Sequence, residues 1–277
     1  MRSIVTGYLL CLLLLPALAL SCTGPYRPPD NASSENLTLP AVGQPVISVS
    51  DNSTPVNLVA TLLVAEEYDR AIAEATASLA ENAENITLKE KLADAYIARA
   101  WYYKGKRLNP NALADLSRAV EIAPEYYRAH YELGRFHNNQ WQFSMGQLDL
   151  DRALSLKPDF APAYSERSYS NYKKQKYEEG LADAGRAIEL DQTLPRSYCV
   201  RSLIYAALGK TDLAIQDANQ AVRLAPDDAA SYYNRSLVYT TSGEPALAIV
   251  DLETTLQLSQ DDLLTTRASA DLRTLKR

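Results

Sequence analysis

From about residue 56 onward apolar and small residues return at helical spacing and glycine is scarce, so the pattern predicts an all-α region. Whole phrases also come back. "RAVEIAPEYYRAHYELG" (118–134) is followed 34 positions later by "RALSLKPDFAPAYSERS" (152–168). Positions 34 apart from Pro124 hold Pro158, Gln192, Pro226 and Gln260, each just after a helix-like run. Small residues keep the same register: Ala100, Gly134, Ser168, Ser202, Ser236 and Ala270 in one column, and Ala112, Gly146, Gly180, Ala214 and Ala248 in a second. Ala119, Ala153, Ala187, Ala221 and Thr255 form a third. Columns of small side chains let helices approach closely, so the repeating unit is predicted to be a helix pair that packs against its own copies.

This period and pattern resemble the tetratricopeptide repeat, a helix-turn-helix unit that stacks into an α-solenoid. The family's small residue in the first helix is matched by Gly134 and its column, and its terminal proline by Pro124, Pro158 and Pro226. Its first aromatic is matched by Tyr96, Tyr164, Tyr198 and Tyr232, with His130 as the departure. Its later aromatic is matched by Tyr103, Tyr205 and Tyr239, while His137 and Asn171 depart. Five repeats follow, at 93–126, 127–160, 161–194, 195–228 and 229–262. "EEYDRAIAEATASLAEN" resembles the second helix of a degenerate leading repeat within 56–92, seven residues out of register, which predicts a lengthened helix starting near Thr87. Residues 263–277 repeat the start of a first helix and then turn basic, as a capping helix would.

The resemblance implies a concave groove lined by the first helices, where a protein or peptide segment binds. The aligned positions are Ile97 and Trp101, then Tyr131, Glu132, Arg135 and Asn138, then Ser165, Glu166, Tyr169 and Tyr172. Cys199 and Leu203 follow, and then Tyr233, Asn234 and Leu237. Tyr and Trp supply large contact area at low entropy cost and are enriched at interface hot spots. Chaperone-binding members of the family clamp a free carboxyl terminus with Lys, Asn and Arg; the corresponding places here hold Ile97, Trp101, Glu132, Pro162 and Glu166, so that clamp is absent. A second regularity pairs Arg99, Arg167, Arg201 and Arg235 in the first helices with Asp115, Asp149, Asp183, Asp217 and Asp251 in the second helices. A bidentate ladder between helices would satisfy both groups, although Leu133 breaks the arginine column.

The amino end differs in kind. Arg2 precedes an apolar run from Tyr8 to Leu20, too short to span a bilayer comfortably, which reads as an export signal over residues 1–21. Ala19, Leu20, Ser21 and Cys22 resemble the lipobox of bacterial lipoproteins, and this resemblance implies cleavage before Cys22 and its lipidation. Stable anchoring takes more than one acyl chain. Residues 22–55, rich in Pro, Ser, Thr and Asn, cannot offset their ordering entropy by burial and read as a tether with a reach on the order of 30 Å. "VISVS" (46–50) alternates like a short strand without a partner and is counted with the tether.

Composition narrows the functional classes. A formal charge of −6 without a basic stripe argues against nucleic acid as a partner. Cys11 and Cys22 lie in or beside the export signal, which leaves Cys199 alone in the helical region and no disulfide framework to build. His130 and His137, seven apart on one helix and so about 10 Å apart along its axis, cannot share a metal ion. No glycine-rich phosphate loop, nucleophile elbow or zinc motif occurs, so neither catalysis nor a cofactor is expected. Asn31, Asn36, Asn52, Asn85 and Asn234 each begin an N-x-[ST] triplet, and a glycan on Asn234 would obstruct the groove. The expectation is a lipid-anchored, exported adaptor that binds a protein or peptide, with a self-associating homo-oligomer as the alternative and an enzyme third.

Overall fold

The computed structural model describes residues 54–277; the expected export signal, Cys22 and nearly all of the expected tether lie outside the described residues. Among the described residues there are thirteen helices and no strand. They fall into two compact units, one of residues 54–129 and one of residues 130–277.

The first unit contains α1 (Pro55–Val64), α2 (Tyr68–Glu81), α3 (Ile86–Gly105) and α4 (Asn109–Ile122). Thr54 caps α1 by accepting from the Asn57 backbone N–H, with Pro55 preset for the first turn. Asn85 caps α3 in the same way through Leu88 N–H. α3 has 20 residues where α5, the next first helix, has 13, and those seven extra residues account for the slip in register. Val59, Leu62, Ala71, Ala75, Leu88 and Leu92 form the core of this unit.

The division between the units falls within α5 (Tyr127–Asn139), after Ala129. The second unit continues with α6 (Phe143–Leu156), α7 (Ala161–Lys173), α8 (Tyr177–Leu190), α9 (Pro195–Ala207), α10 (Thr211–Leu224), α11 (Ala229–Thr241), α12 (Pro245–Leu258) and α13 (Asp262–Leu275). From α6 on, each helix packs on the next, and α9 also touches α7 and α11. Such nearest-neighbour stacking makes an α-solenoid, in which each pair covers an apolar side of the following one. Asp228 and Asp261 start α11 and α13, each accepting two backbone N–H groups of the first turn. α13 is buried through Leu264 and Ala268 against Tyr233 and Leu252, so it stands where a further first helix would stand.

The turn inside each pair is also periodic. Arg107, Trp141, Gln175, Gly209 and Gly243, all 34 apart, have positive φ. The next residue's N–H returns to the carbonyl five positions back, as in Gln142 to His137 and Lys210 to Tyr205, both at 2.9 Å, which satisfies a helix-end carbonyl. Glu66 and Glu67 close the α1–α2 turn in the same manner, with Glu67 N–H donating to Leu62 O at 2.9 Å. Close approach explains the small-residue columns: a Cβ on Gly134 would lie 2.9 Å from Gly146 O and from Leu150 Cγ, and Ser168 Oγ donates to Gly180 O at 2.7 Å.

Candidate functional site

Two systems of polar side chains run through the helices, and they differ in geometry. The first is the ladder. Arg99 Nε and Nη2 donate to the two carboxylate oxygens of Asp115 at 2.8 Å each. The same bidentate contact joins Arg167 to Asp183, Arg201 to Asp217 and Arg235 to Asp251 at 2.6 to 3.0 Å. Hydrogen bonds to these aspartates raise the already high pKa of Arg99, Arg201 and Arg235, so the arginines are fixed as cations.

The spare nitrogen of most rungs reaches the preceding second helix: Arg99 to Asp69, Arg167 to Asp151 and Arg235 to Asn219. Tyrosines bracket the guanidinium groups. Tyr96 and Tyr103 lie 5.4 and 5.7 Å from Arg99, Tyr198 and Tyr205 5.7 and 5.9 Å from Arg201, and Tyr232 and Tyr239 5.5 and 5.7 Å from Arg235. The rung missing at Leu133 is replaced by His137, whose Nδ1 lies 2.7 Å from Asp149 Oδ2, and Asn171 Nδ2 adds a bond to Asp183. The repeat that lost its arginine thus holds histidines in both bracketing columns, His130 and His137.

The second system lies on the first helices of the second unit and connects one repeat to the next. Glu166, on α7, is fully buried and pairs with Arg196 of α9, with Nε 2.8 Å from Oε1 and Nη2 donating to Oε2 at 2.9 Å. Asn138 of α5 donates to the Glu166 carbonyl at 3.1 Å and accepts from Ser170 Oγ at 2.8 Å. On α5 itself Arg135 is 3.4 Å from Glu132 and 5.9 Å from the Tyr131 ring, while Tyr131 meets Phe160 edge-on at 5.0 Å. The Arg196 guanidinium lies 4.9 Å from the Tyr169 ring. Burial raises the Tyr131, Tyr169 and Tyr233 hydroxyls above the usual phenol range and pushes Tyr172 up to about 12, so all four stay protonated.

Beside this network three elements converge. Trp141, in the turn after α5, is 44% exposed, with Lys173 Nζ at 4.6 Å and Arg267 at 5.9 Å from its ring. Lys173 is also 5.8 Å from both Tyr169 and Tyr172. Burial, followed by the charge of Arg267, lowers Lys173 to about 8. Tyr233 donates to Asp271 Oδ2 at 2.9 Å.

Of the residues expected in the groove, Tyr131, Glu132, Arg135, Asn138, Glu166 and Tyr169 belong to this inner network. Ser165 is buried beside it. Leu203, with Leu237 and Tyr172 packed around it, joins the apolar core instead. Cys199 is buried with Sγ 3.9 Å from Ser231 Oγ. Asn234 is buried and donates to Ala230 O within its own helix, so the folded chain has no room for a glycan there. Ile97 and Trp101 sit on α3 in the first unit, Ile97 buried and Trp101 half-buried under Lys104 at 5.0 Å.

Trp141, Lys173, Arg196, Arg267 and Asp271 were not among the expected residues. Arg267 and Asp271 lie 34 positions beyond Tyr233 and Leu237, so carrying the groove columns one step into α13 finds them. Trp141 occupies a turn and Lys173 a helix end, and no column points to either. Among the described residues no group of three or more His, Cys, Asp or Glu is placed to hold a metal ion, and no helix is long and apolar enough to cross a membrane.

Residues 195–228 match the family model described as Tetratricopeptide repeat. A thermophilic tetratricopeptide-repeat protein of Thermus thermophilus, TTC0263, is similar at 19% identity and TM-score 0.58, over 65% of this chain and 99% of its own. The fold is that of the tetratricopeptide repeat. A tetratricopeptide-repeat protein from Parabacteroides merdae ATCC 43184 is similar at 18% identity and TM-score 0.57, over 80% of this chain and 83% of its own. The APC/C hetero-tetramer Cut9-Hcn1 is similar at 16% identity and TM-score 0.62, over 80% of this chain and 42% of the other. No curated protein matches the sequence. Within this tetratricopeptide fold the arginine rungs make the contact between the two helices of a pair ionic as well as apolar.

Proposed function

We propose that the chain is a non-catalytic adaptor that holds a protein or peptide segment on the inner face of its first helices, and that lipid on Cys22 tethers it to the outer side of a membrane. One observation carries the binding reading. Most residue types that build the helix pairs recur every 34 positions, whereas the inner-face column reads Ile97, Tyr131, Ser165, Cys199, Tyr233 and Arg267. Repetition serves stacking, and a face that differs at each step serves a ligand that differs along its length. The similar structures support the same use, one of them being an assembly of two different proteins, Cut9 and Hcn1. The tether rests on the order of Arg2, the apolar run and the Ala19–Cys22 junction, followed by the proline-rich stretch.

A photocrosslinking residue at Trp141 should capture a defined polypeptide in cells, while one at Leu148 or Leu213, exposed on second helices, should not. The reverse pattern would refute the inner-face assignment. Cys22→Ser should move the chain from the membrane fraction to the soluble one; unchanged partition would remove the anchor. Light scattering that showed a stable homo-oligomer burying Trp141 would replace the adaptor with self-association.

A further inference from the structure

The convergence of Trp141, Lys173 and Arg267 has a chemistry that stacking does not require. Three elements remote in sequence, the turn after α5, the end of α7 and the middle of α13, place two cations against one half-exposed indole. The ladder arginines and Arg196 all face carboxylates. Near Arg267 the carboxylate one turn on, Asp271, accepts from the Tyr233 hydroxyl and also feels the Arg267 charge, whereas Lys173 meets that charge as a second cation. Two like charges held over one ring repel; burial lowers the Lys173 pKa first, and the charge of Arg267 lowers it further. In a chain with formal charge −6 the local sign is opposite to the whole. An arriving anion would relieve the repulsion and gain charge-assisted hydrogen bonds from both donors, and the half-exposed Trp141 face beside them would take an apolar neighbour of that anion.

We propose that Trp141, Lys173 and Arg267 form an anchor for an acidic side chain, so that the segment bound on the inner face carries an Asp or Glu next to an apolar residue. This rests on the adaptor reading and adds the partner's chemistry to it. The site is a point and not a stripe, which fits one carboxylate of a polypeptide better than a polyphosphate backbone or an anionic membrane surface.

The test is selection on the full chain from random peptides that are N-acetylated and C-amidated, so that any carboxylate must come from a side chain. Selected peptides should be enriched in Asp or Glu and should crosslink to inner-face residues. Their affinity should weaken with added salt and fall about tenfold or more with Lys173→Met or Arg267→Met. Lys173→Arg, which keeps the charge, should bind like the parent chain and separates charge from packing if the Met variants unfold. Peptides that crosslink to the inner face without acidic enrichment, salt dependence or loss in the charge variants would overturn the anchor and leave the adaptor standing. Failure to select any peptide that crosslinks to the inner face would overturn both.

Discussion

The arginine rungs and the inner-face network use the same chemistry to opposite ends. A rung joins two helices of one pair with a fixed spacing of sixteen residues, is bracketed by tyrosines, and is rebuilt in nearly the same form in four repeats. The inner network joins different repeats, Glu166 to Arg196 and Asn138 to Glu166, and no contact in it recurs. Periodic ion pairs are therefore scaffold, and aperiodic ones record what each repeat individually faces. The repeat at 127–160 makes the same point from the other side: it lost its arginine at Leu133, yet Asp149 still finds a partner in His137.

The comparison breaks most visibly at a rung. Arg201→Leu leaves the buried Asp217 carboxylate without its bidentate partner and should lower stability by about 3 kcal/mol, read from urea unfolding. Adding Asp217→Leu should recover part of that loss, because two apolar groups replace an orphaned charge. Peptide affinity should not change in either variant.

Next in size is Glu166→Gln, which takes the charge from the α7–α9 contact and should cost about 2 kcal/mol. Unlike the rung variant it should also alter partner binding, and an unchanged affinity would erase the distinction drawn between the two systems. Smaller still is the loss of about 1 to 2 kcal/mol expected for Gly134→Ala, whose Cβ would meet Gly146 O and Leu150. Gly185→Ala, also inside a helix but with nothing near its Cβ, should instead gain about 0.5 to 1 kcal/mol in a thermal melt.

The last prediction concerns Lys173. The fold holds it at about 8 against an ordinary value of 10.5, so between these values the unfolded chain binds more protons and stability rises with pH. The penalty is complete below about 8 and fades as the pH nears the ordinary lysine value. The deficit of the parent chain relative to Lys173→Met should therefore be greater at neutral pH than near about pH 10, and a deficit independent of pH would mean that the fold does not depress the Lys173 pKa.

Much of this was legible without coordinates. The 34-residue columns give the helix pairs, the small-residue contacts and the partners of each rung, because an arginine and an aspartate sixteen apart in a fixed helix-turn-helix are brought together by local geometry. Six of the positions aligned to the groove, Tyr131, Glu132, Arg135, Asn138, Glu166 and Tyr169, lie together in one network on α5 and α7. Leu203, Leu237 and Tyr172 were placed by the same columns but pack in the core, since register tells which way a residue faces and not what meets it there.

By itself, then, the sequence determined the repeating unit, its turn and its ladder, which all depend on residues within one or two repeats. Only the tertiary structure decided that Glu166 is matched by Arg196, and that a turn residue, a helix end and the middle of the last helix meet at Trp141. Those meetings depend on the cumulative rotation of several stacked pairs, a sum of small angles that no single stretch of residues specifies.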